Sequence, residues 1–175
     1  MYQVGDSIVY GKAGVCTITE ITTIDSRWSE KDQLYYVLKP LYQDCVISAP
    51  VQNPKVCTRL TITKSEADRL IDTIPSITPK IYQSDRTQDV IRYYESYIET
   101  HECADLLELT VSLRAKKDTA AETKGKFGSV DQKFMARAED MLFGELAVAL
   151  GIPKEDVQGY IESRLDGKTA SRVPI

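Results

Sequence analysis

Val4-Gly5-Asp6-Ser7-Ile8-Val9-Tyr10-Gly11-Lys12-Ala13-Gly14-Val15-Cys16-Thr17-Ile18-Thr19-Glu20-Ile21 decides what the N-terminal part of this chain can be. It reads as a strand, a tight glycine turn and a second strand. Ile8 and Tyr10 share one face of the first strand. In the second, Val15, Thr17 and Thr19 oppose Cys16, Ile18 and Glu20. Gly11 and Gly14 bracket a turn that calls for positive φ or close backbone approach, the two things a residue without Cβ supplies.

Working outward, a polar loop, Asp25-Ser26-Arg27-Trp28-Ser29-Glu30-Lys31-Asp32, leads to Leu34-Tyr35-Tyr36-Val37-Leu38, a strand rich in aromatic and branched residues. Tyr42-Gln43-Asp44 turns the chain into a strand at Cys45-Val46-Ile47-Ser48, ended by Pro50. Asn53-Pro54 turns it again into Lys55-Val56-Cys57-Thr58-Arg59. Short strands in this density predict a small SH3-like or Tudor-like β-barrel over residues 1–60.

The pattern changes at Thr63. Thr63-Lys64-Ser65-Glu66 is a capping box that opens a helix to Thr73. Pro75 and Pro79 mark a linker. Ser84 or Asp85 then caps a helix to Thr100, with Val90, Ile91, Tyr94, Tyr97 and Ile98 at helical spacing. Residues 103–117 form another, with Leu106, Leu107, Leu109, Thr110 and Leu113 inward. Gly125-Lys126-Phe127-Gly128 breaks the chain before a second capping box, Ser129-Val130-Asp131-Gln132. The helix it starts carries Val130, Phe134, Met141, Leu142, Leu146 and Ala149 on one side, and Gly151 with Pro153 ends it. A last helix covers 154–165. The expectation is an α+β chain of two domains: the barrel at 1–60, an all-helical domain at 61–166, and a frayed tail at 167–175.

The 175 residues carry 42% hydrophobic and 27% charged side chains, the balance of an ordinary globular chain. The N-terminal residues show no basic and apolar leader pattern, and no apolar run approaches a membrane span. A cytoplasmic protein without a membrane partner is expected. Cys16, Cys45, Cys57 and Cys103 include no C-x-x-C pair, and the single His101 completes no usual zinc set with them. They read as plain thiols, most in apolar strand contexts, and no metal or cofactor is expected.

Catalytic patterns are missing as well. Gly11-Lys12-Ala13-Gly14 is too short for a phosphate loop and opens no helix. His101, beside Glu102 at a helix end, reads as a solvated residue complementing the helix dipole. Glu139 and Asp140 are adjacent on a helix and do not face each other. No enzyme and no small-molecule substrate is expected.

A net charge of −4 argues against autonomous DNA binding, because phosphate contacts supply most of such affinity. The charge is nonetheless patterned. Residues 114–137 hold seven cations (Arg114, Lys116, Lys117, Lys124, Lys126, Lys133, Arg137) against Asp118, Glu122 and Asp131. This stretch is either a solvated helix surface or a phosphate-contacting patch, with Lys124, Lys126 and Lys133 beside the free N–H groups of a helix start. Phe127 is read as packing. Trp28 is either a recognition anchor or a ring folded back on the barrel.

Several ordered motifs resemble those of the CarD-like (CdnL) family of bacterial regulators that bind RNA polymerase. They begin with the opening hairpin and continue with Leu34-Tyr35-Tyr36-Val37-Leu38-Lys39, Ile47-Ser48-Ala49-Pro50-Val51-Gln52-Asn53, and Val56 with Arg59. Met141-Leu142-Phe143-Gly144-Glu145-Leu146-Ala147 resembles the family's "L-x-x-E-L-A" helix. The resemblance spans residues 3–165. It implies that the first domain binds the polymerase β subunit, and that the helical domain touches promoter DNA and stabilises the open complex. It places polymerase contact at Arg27, Cys45, Val46, Ile47, Ser48 and Pro50, with an exposed edge able to add a strand to a partner sheet.

Two departures stand out. Relatives often carry an arginine where this chain has Ser48, leaving Arg27 as the substitute. Many carry a tryptophan before the first long helix of the second domain. Here Tyr82 is the nearest aromatic and would be a smaller minor-groove wedge, with Arg86 and Arg92 near phosphate or groove. DNA contact is thus assigned to Tyr82, Arg86, Arg92, Lys124, Lys126 and Lys133. The alternative is an adaptor that binds polymerase, or another protein, without touching DNA.

Overall fold

The computed structural model describes residues 1–24, 33–53 and 55–170, the side chains of Thr169 and Ala170 apart. Two compact units emerge, Met1–Thr61 and Ile62–Ile175.

The first unit is a five-stranded antiparallel sheet: β1 (Ser7–Tyr10), β2 (Val15–Thr23), β3 (Leu34–Pro40), β4 (Ile47–Pro50) and β5 (Thr58–Leu60), in the order β4-β3-β2-β1-β5. The glycine turn forms as expected. Gly11 opens a single 3-10 turn at φ +45, and Gly14 closes it at φ +72. Val9 pairs with Val15 across it. A Cβ on Gly11 would lie 2.8 Å from Val56 Cγ1, so both φ and space require glycine there.

Thr19 is an extra residue on β2, where the register slips between Ile18–Leu38 and Glu20–Val37. Its hydroxyl donates to Val37 O at 3.1 Å, and such a bulge bends the sheet around its core. That core is Ile8, Cys16, Ile18, Tyr36, Leu38 and Ala49, with Tyr2, Tyr10, Ile21, Ile47 and Val51 packed at its margin. The sheet is curved but open. Among the described residues β4 and β5 are its two edges and do not pair, so the observed architecture is an open antiparallel sheet where the sequence suggests a small SH3-like or Tudor-like barrel. β4 also begins at Ile47 rather than Cys45, and β5 at Thr58 rather than Lys55.

The second unit contains α1 (Lys64–Asp72), α2 (Thr87–Ile98), α3 (Cys103–Glu122), α4 (Ser129–Leu150) and α5 (Val157–Ala170). The Thr63 box is complete: its hydroxyl accepts from Glu66 N, and Glu66 Oε2 accepts from Thr63 N at 2.7 Å. The second box shifts by one residue. Gly128 is the N-cap of α4, and the carboxylate of Asp131 accepts its N–H at 3.1 Å. Gln132 turns instead to Phe127 O. α2 starts at Thr87 after Arg86, α3 continues to Glu122, and α5 runs past Gly167 to Ala170, where the sequence had suggested a tail.

α3 and α4 are the central pair, α2 packs on both, and α1 and α5 pack on α4 and on each other. Leu106, Leu107, Leu109, Leu113, Leu142 and Leu146 fill the middle. Glu145 is buried among them and joins distant backbone. Oε1 accepts Ile62 N–H at 3.0 Å, and Cys103 Sγ donates to Oε2 at 3.0 Å. A buried carboxylate kept on the apolar face is explained by those donors.

Arg164 clasps α5 to α1, with Nε and Nη2 donating to the two oxygens of Asp72 at 2.7 and 3.0 Å. Lys168 adds to the pair, and Tyr160 donates to Asp68 at 2.6 Å. The Arg164 and Lys168 hydrogen bonds push the Asp72 carboxyl down to about 2. A depressed carboxylate stabilises the fold above the ordinary value of about 4, and that contribution is lost as pH falls toward about 2. Asp72→Asn is expected to remove this part of the acid transition, leaving helical circular dichroism flatter between pH 4 and 2 than in the parent chain.

Candidate functional site

The edge strand β4 carries three of the six residues assigned to a protein partner, Ile47, Ser48 and Pro50. Its phase is fixed by Val51 N–H, which donates to Leu34 O at 2.9 Å. In an antiparallel ladder alternate residues face the neighbour, so Ile47, Ala49 and Val51 turn their backbone toward β3. Ser48 and Pro50 turn theirs outward. Ser48 therefore presents an N–H and a C=O along the open edge, whereas Pro50 presents only a carbonyl. Ala49 is buried and Ile47 packs against the core, which holds the strand in place. Cys45 and Val46 lie before the strand, both exposed, Val46 at 67%. Leu41 and Tyr42 from the same β3–β4 connection are exposed too. From Leu41 to Asn53 the only charged side chain is Asp44, so this edge is nearly neutral. Arg27 and Trp28 lie outside the described residues.

The helical unit organises the basic residues differently from their order in sequence. The linker before α2 is strapped along α3. Glu108, Ser112 and Lys116 stand one turn apart on one face of that helix. They hold, in order, the Lys80 side chain, Lys80 N–H (2.9 Å to Ser112 Oγ) and Tyr82 O (3.2 Å from Lys116 Nζ). Tyr82 stacks on Tyr93 with centroids 4.3 Å apart and planes 11° from parallel. It is a half-buried packing residue in this structure.

Lys116 also donates to Asp131 Oδ1 at 2.8 Å and contacts Tyr94 OH at 3.2 Å, while Tyr94 donates to the same Asp131 oxygen at 2.6 Å. Burial works to raise the Asp131 carboxyl, but the hydrogen bonds from Lys116, Tyr94 and Gly128 outweigh it and hold the group below its ordinary value. Burial and then Asp131 push the Tyr94 phenol up. Arg114 pairs with Glu139 at 2.8 Å. Two of the seven cations between 114 and 137 are thus engaged in structural pairs.

Arg86, Arg92, Lys124, Lys126 and Lys133 are exposed. Lys126 and Lys116 line an open cleft of about 830 Å³ together with Gln83, Ser84, Asp85 and Thr87 before and at the start of α2, and Gly128–Asp131 at the start of α4. Arg86 is the N-cap of α2, and Lys133 sits one turn beyond Ser129 on α4. Arg92 is exposed on α2 but does not line the cleft. Lys124 adopts φ +52, so the Lys124–Gly125 turn sets the approach of Lys126 to the cleft.

The remaining polar residues singled out in the sequence are accounted for locally. His101 takes φ +55 after α2 and donates its N–H to Ile98 O at 3.2 Å, a left-handed helix stop. It is half-buried rather than solvated. Cys16 is buried, its thiol pushed up to about 11 by burial and by Cys45. Among the described residues no three of His, Cys, Asp and Glu converge as a metal would require. No helix among them is long and apolar enough to cross a membrane.

Three features of this site were hidden in the sequence. They are the outward phase of Ser48, the burial of Lys116 with Asp131, and the strap that occupies Tyr82. Each depends on partners far along the chain.

No curated protein matches the chain. Residues 2–61 match the family model of the CarD-like/TRCF RID domain, which ends at the boundary of the sheet unit. This family is a protein-interaction domain directed at RNA polymerase, and the sheet with its open β4 edge is the part of the chain that matches. The N-terminal unit of the chain is therefore similar to the CarD-like/TRCF RID domain, a family that interacts with the RNA polymerase β subunit.

Proposed function

We propose that this protein is a non-enzymatic, cytoplasmic transcription regulator that docks on the polymerase β subunit through the β4 edge and, once docked, contacts promoter DNA with its helical unit to stabilise the open complex. The observation that carries the docking is the outward N–H and C=O of Ser48 on an open edge of a polymerase-interacting domain. Main-chain pairing there adds a strand to the partner's sheet, and exposed Cys45 and Val46 with Ile47 and Pro50 give side-chain contact. Arg27 would add a charge contact.

Exposed Arg86, Arg92, Lys124, Lys126 and Lys133 support DNA contact, three of them around the starts of α2 and α4. Their cations oppose a net charge of −4, so such contact depends on tethering. Docking supplies a high effective concentration, under which weak phosphate contacts still count. Tyr82, stacked on Tyr93, would have to leave that partner to enter a groove. This favours backbone contact over wedging, and it also favours the adaptor that leaves DNA alone.

Neutralising Lys124, Lys126 and Lys133 to Gln separates the two. If they touch phosphate, the slope of log affinity against log salt for the polymerase–promoter complex is expected to become shallower by up to about 3. An unaltered slope and affinity would remove DNA from the account and leave the adaptor.

A further inference from the structure

The sheet unit holds a pocket beside the end of β4. Tyr2, Tyr10 and Tyr36 surround a pocket of about 230 Å³, completed by Pro50, Val51, Asn53, Val56 and Thr58. At that size it is smaller than the roughly 300–1,000 Å³ of a cofactor or drug-sized site, and it fits one side chain. Its rings are fixed from several directions. Tyr2 N–H donates to Tyr36 OH at 3.0 Å, Tyr2 OH donates to Thr58 O at 3.0 Å, and Asn53 Nδ2 donates to Tyr10 OH at 3.1 Å. The Tyr2 and Tyr36 rings are inclined by 48° with centroids 6.1 Å apart, as walls rather than as a closed stack. Among the described residues no charged side chain lines the pocket.

We infer that this pocket receives an arginine side chain from the protein partner seated on β4. Aromatic walls without a competing cation attract a guanidinium through the ring quadrupole, and the planar group also stacks. The hydroxyl oxygens of Tyr2 and Tyr10 each keep a lone pair to accept its N–H groups, since one donates to Thr58 and the other accepts from Asn53. An anion would find no positive side chain here. An apolar group would leave the remaining lone pairs of the Tyr2 and Tyr10 hydroxyls without a donor. Pro50 and Val51 belong to both the end of β4 and the pocket wall. A strand paired at Ser48 would therefore pass the mouth within one or two residues. The inference rests on the docking proposed above.

The test is a titration of the isotope-labelled full chain, followed by amide resonances, with Nα-acetylarginine methylamide and with its neutral citrulline counterpart. The arginine probe is expected to shift Tyr2, Tyr10 and Asn53 saturably, and the citrulline probe to bind at least about tenfold more weakly. Tyr2→Leu should weaken the arginine probe about tenfold, whereas Tyr2→Phe, which keeps the ring, should retain most binding. Equal response to both probes, or none at these residues, would overturn the inference. Binding to core polymerase is measured in parallel. Polymerase binding without an arginine response defeats the pocket alone, and an arginine response without polymerase binding defeats the docking and leaves an arginine pocket without that partner.

Discussion

Lys116→Met is expected to destabilise the helical unit by about 3–5 kcal/mol, because it strips a buried carboxylate of its counter-charge. The Lys116 and Asp131 side chains are only 11% and 9% exposed. Lys116 Nζ serves Asp131, Tyr94 and the carbonyl of Tyr82 together, so its loss also releases the strap that leads into α2. What remains on Asp131 is the Tyr94 hydroxyl and Gly128 N–H, too little to hold a charge out of water. With whole-protein stabilities near 5–15 kcal/mol, the loss brings the unit close to unfolding.

The double variant Lys116→Met with Asp131→Asn should recover a substantial part of the loss. The amide oxygen can still accept from Tyr94 and no charge is left unpaired. Urea titrations followed by helical circular dichroism measure both. A single variant within about 0.5 kcal/mol of the parent would show that the pair is solvated and does no structural work.

Ser48→Pro is expected to weaken polymerase binding by roughly 30- to 150-fold while leaving the sheet intact. Proline removes the outward N–H, so the partner carbonyl that it would meet is left unsatisfied at a cost of about 2–3 kcal/mol. The β3–β4 ladder loses nothing, since Ser48 points its backbone away from Val37. Proline is tolerated on an edge for that reason, and Pro50 already occupies the next outward position. Ser48→Thr keeps the N–H and suits a strand, and should bind as the parent does. Titration against purified core polymerase reads the difference, with circular dichroism showing that both variants keep the parent's structure. If Ser48→Pro bound like the parent, side chains rather than strand addition would carry the contact.

How much was legible in the sequence follows from the range of the interactions involved. The Thr63–Glu66 box and the Gly11 and Gly14 turn were readable because their chemistry closes within four residues. The Ser129 box was misplaced by one residue because Asp131 and Gln132 are adjacent acceptors at nearly equal spacing. The carboxylate took the cap and the amide turned to Phe127. Ser84 is a good cap by type and suggests an earlier start for α2, yet its hydroxyl accepts from Arg86 N and meets Asp89. α3 outran its expected end since its last turns are polar and carry no apolar period.

Barrel closure was not legible at all. It depends on whether β4 meets β5 after the bulge at Thr19 has bent β2. For the site, the family resemblance implies an edge at Cys45–Ser48, but the phase that turns Ser48 outward emerges only from the Val51–Leu34 bond. Lys116 reads from sequence as one more surface cation because nothing local shows Asp131 and Tyr94 closing over it.

The most direct measurement is the binding of this chain to purified bacterial core polymerase, with amide hydrogen exchange read across residues 47–49 in the complex. A saturable complex in which the Ser48 amide becomes protected is the predicted result. No complex at low salt, or a complex in which the β4 amides exchange as in the free chain, would contradict docking through this edge.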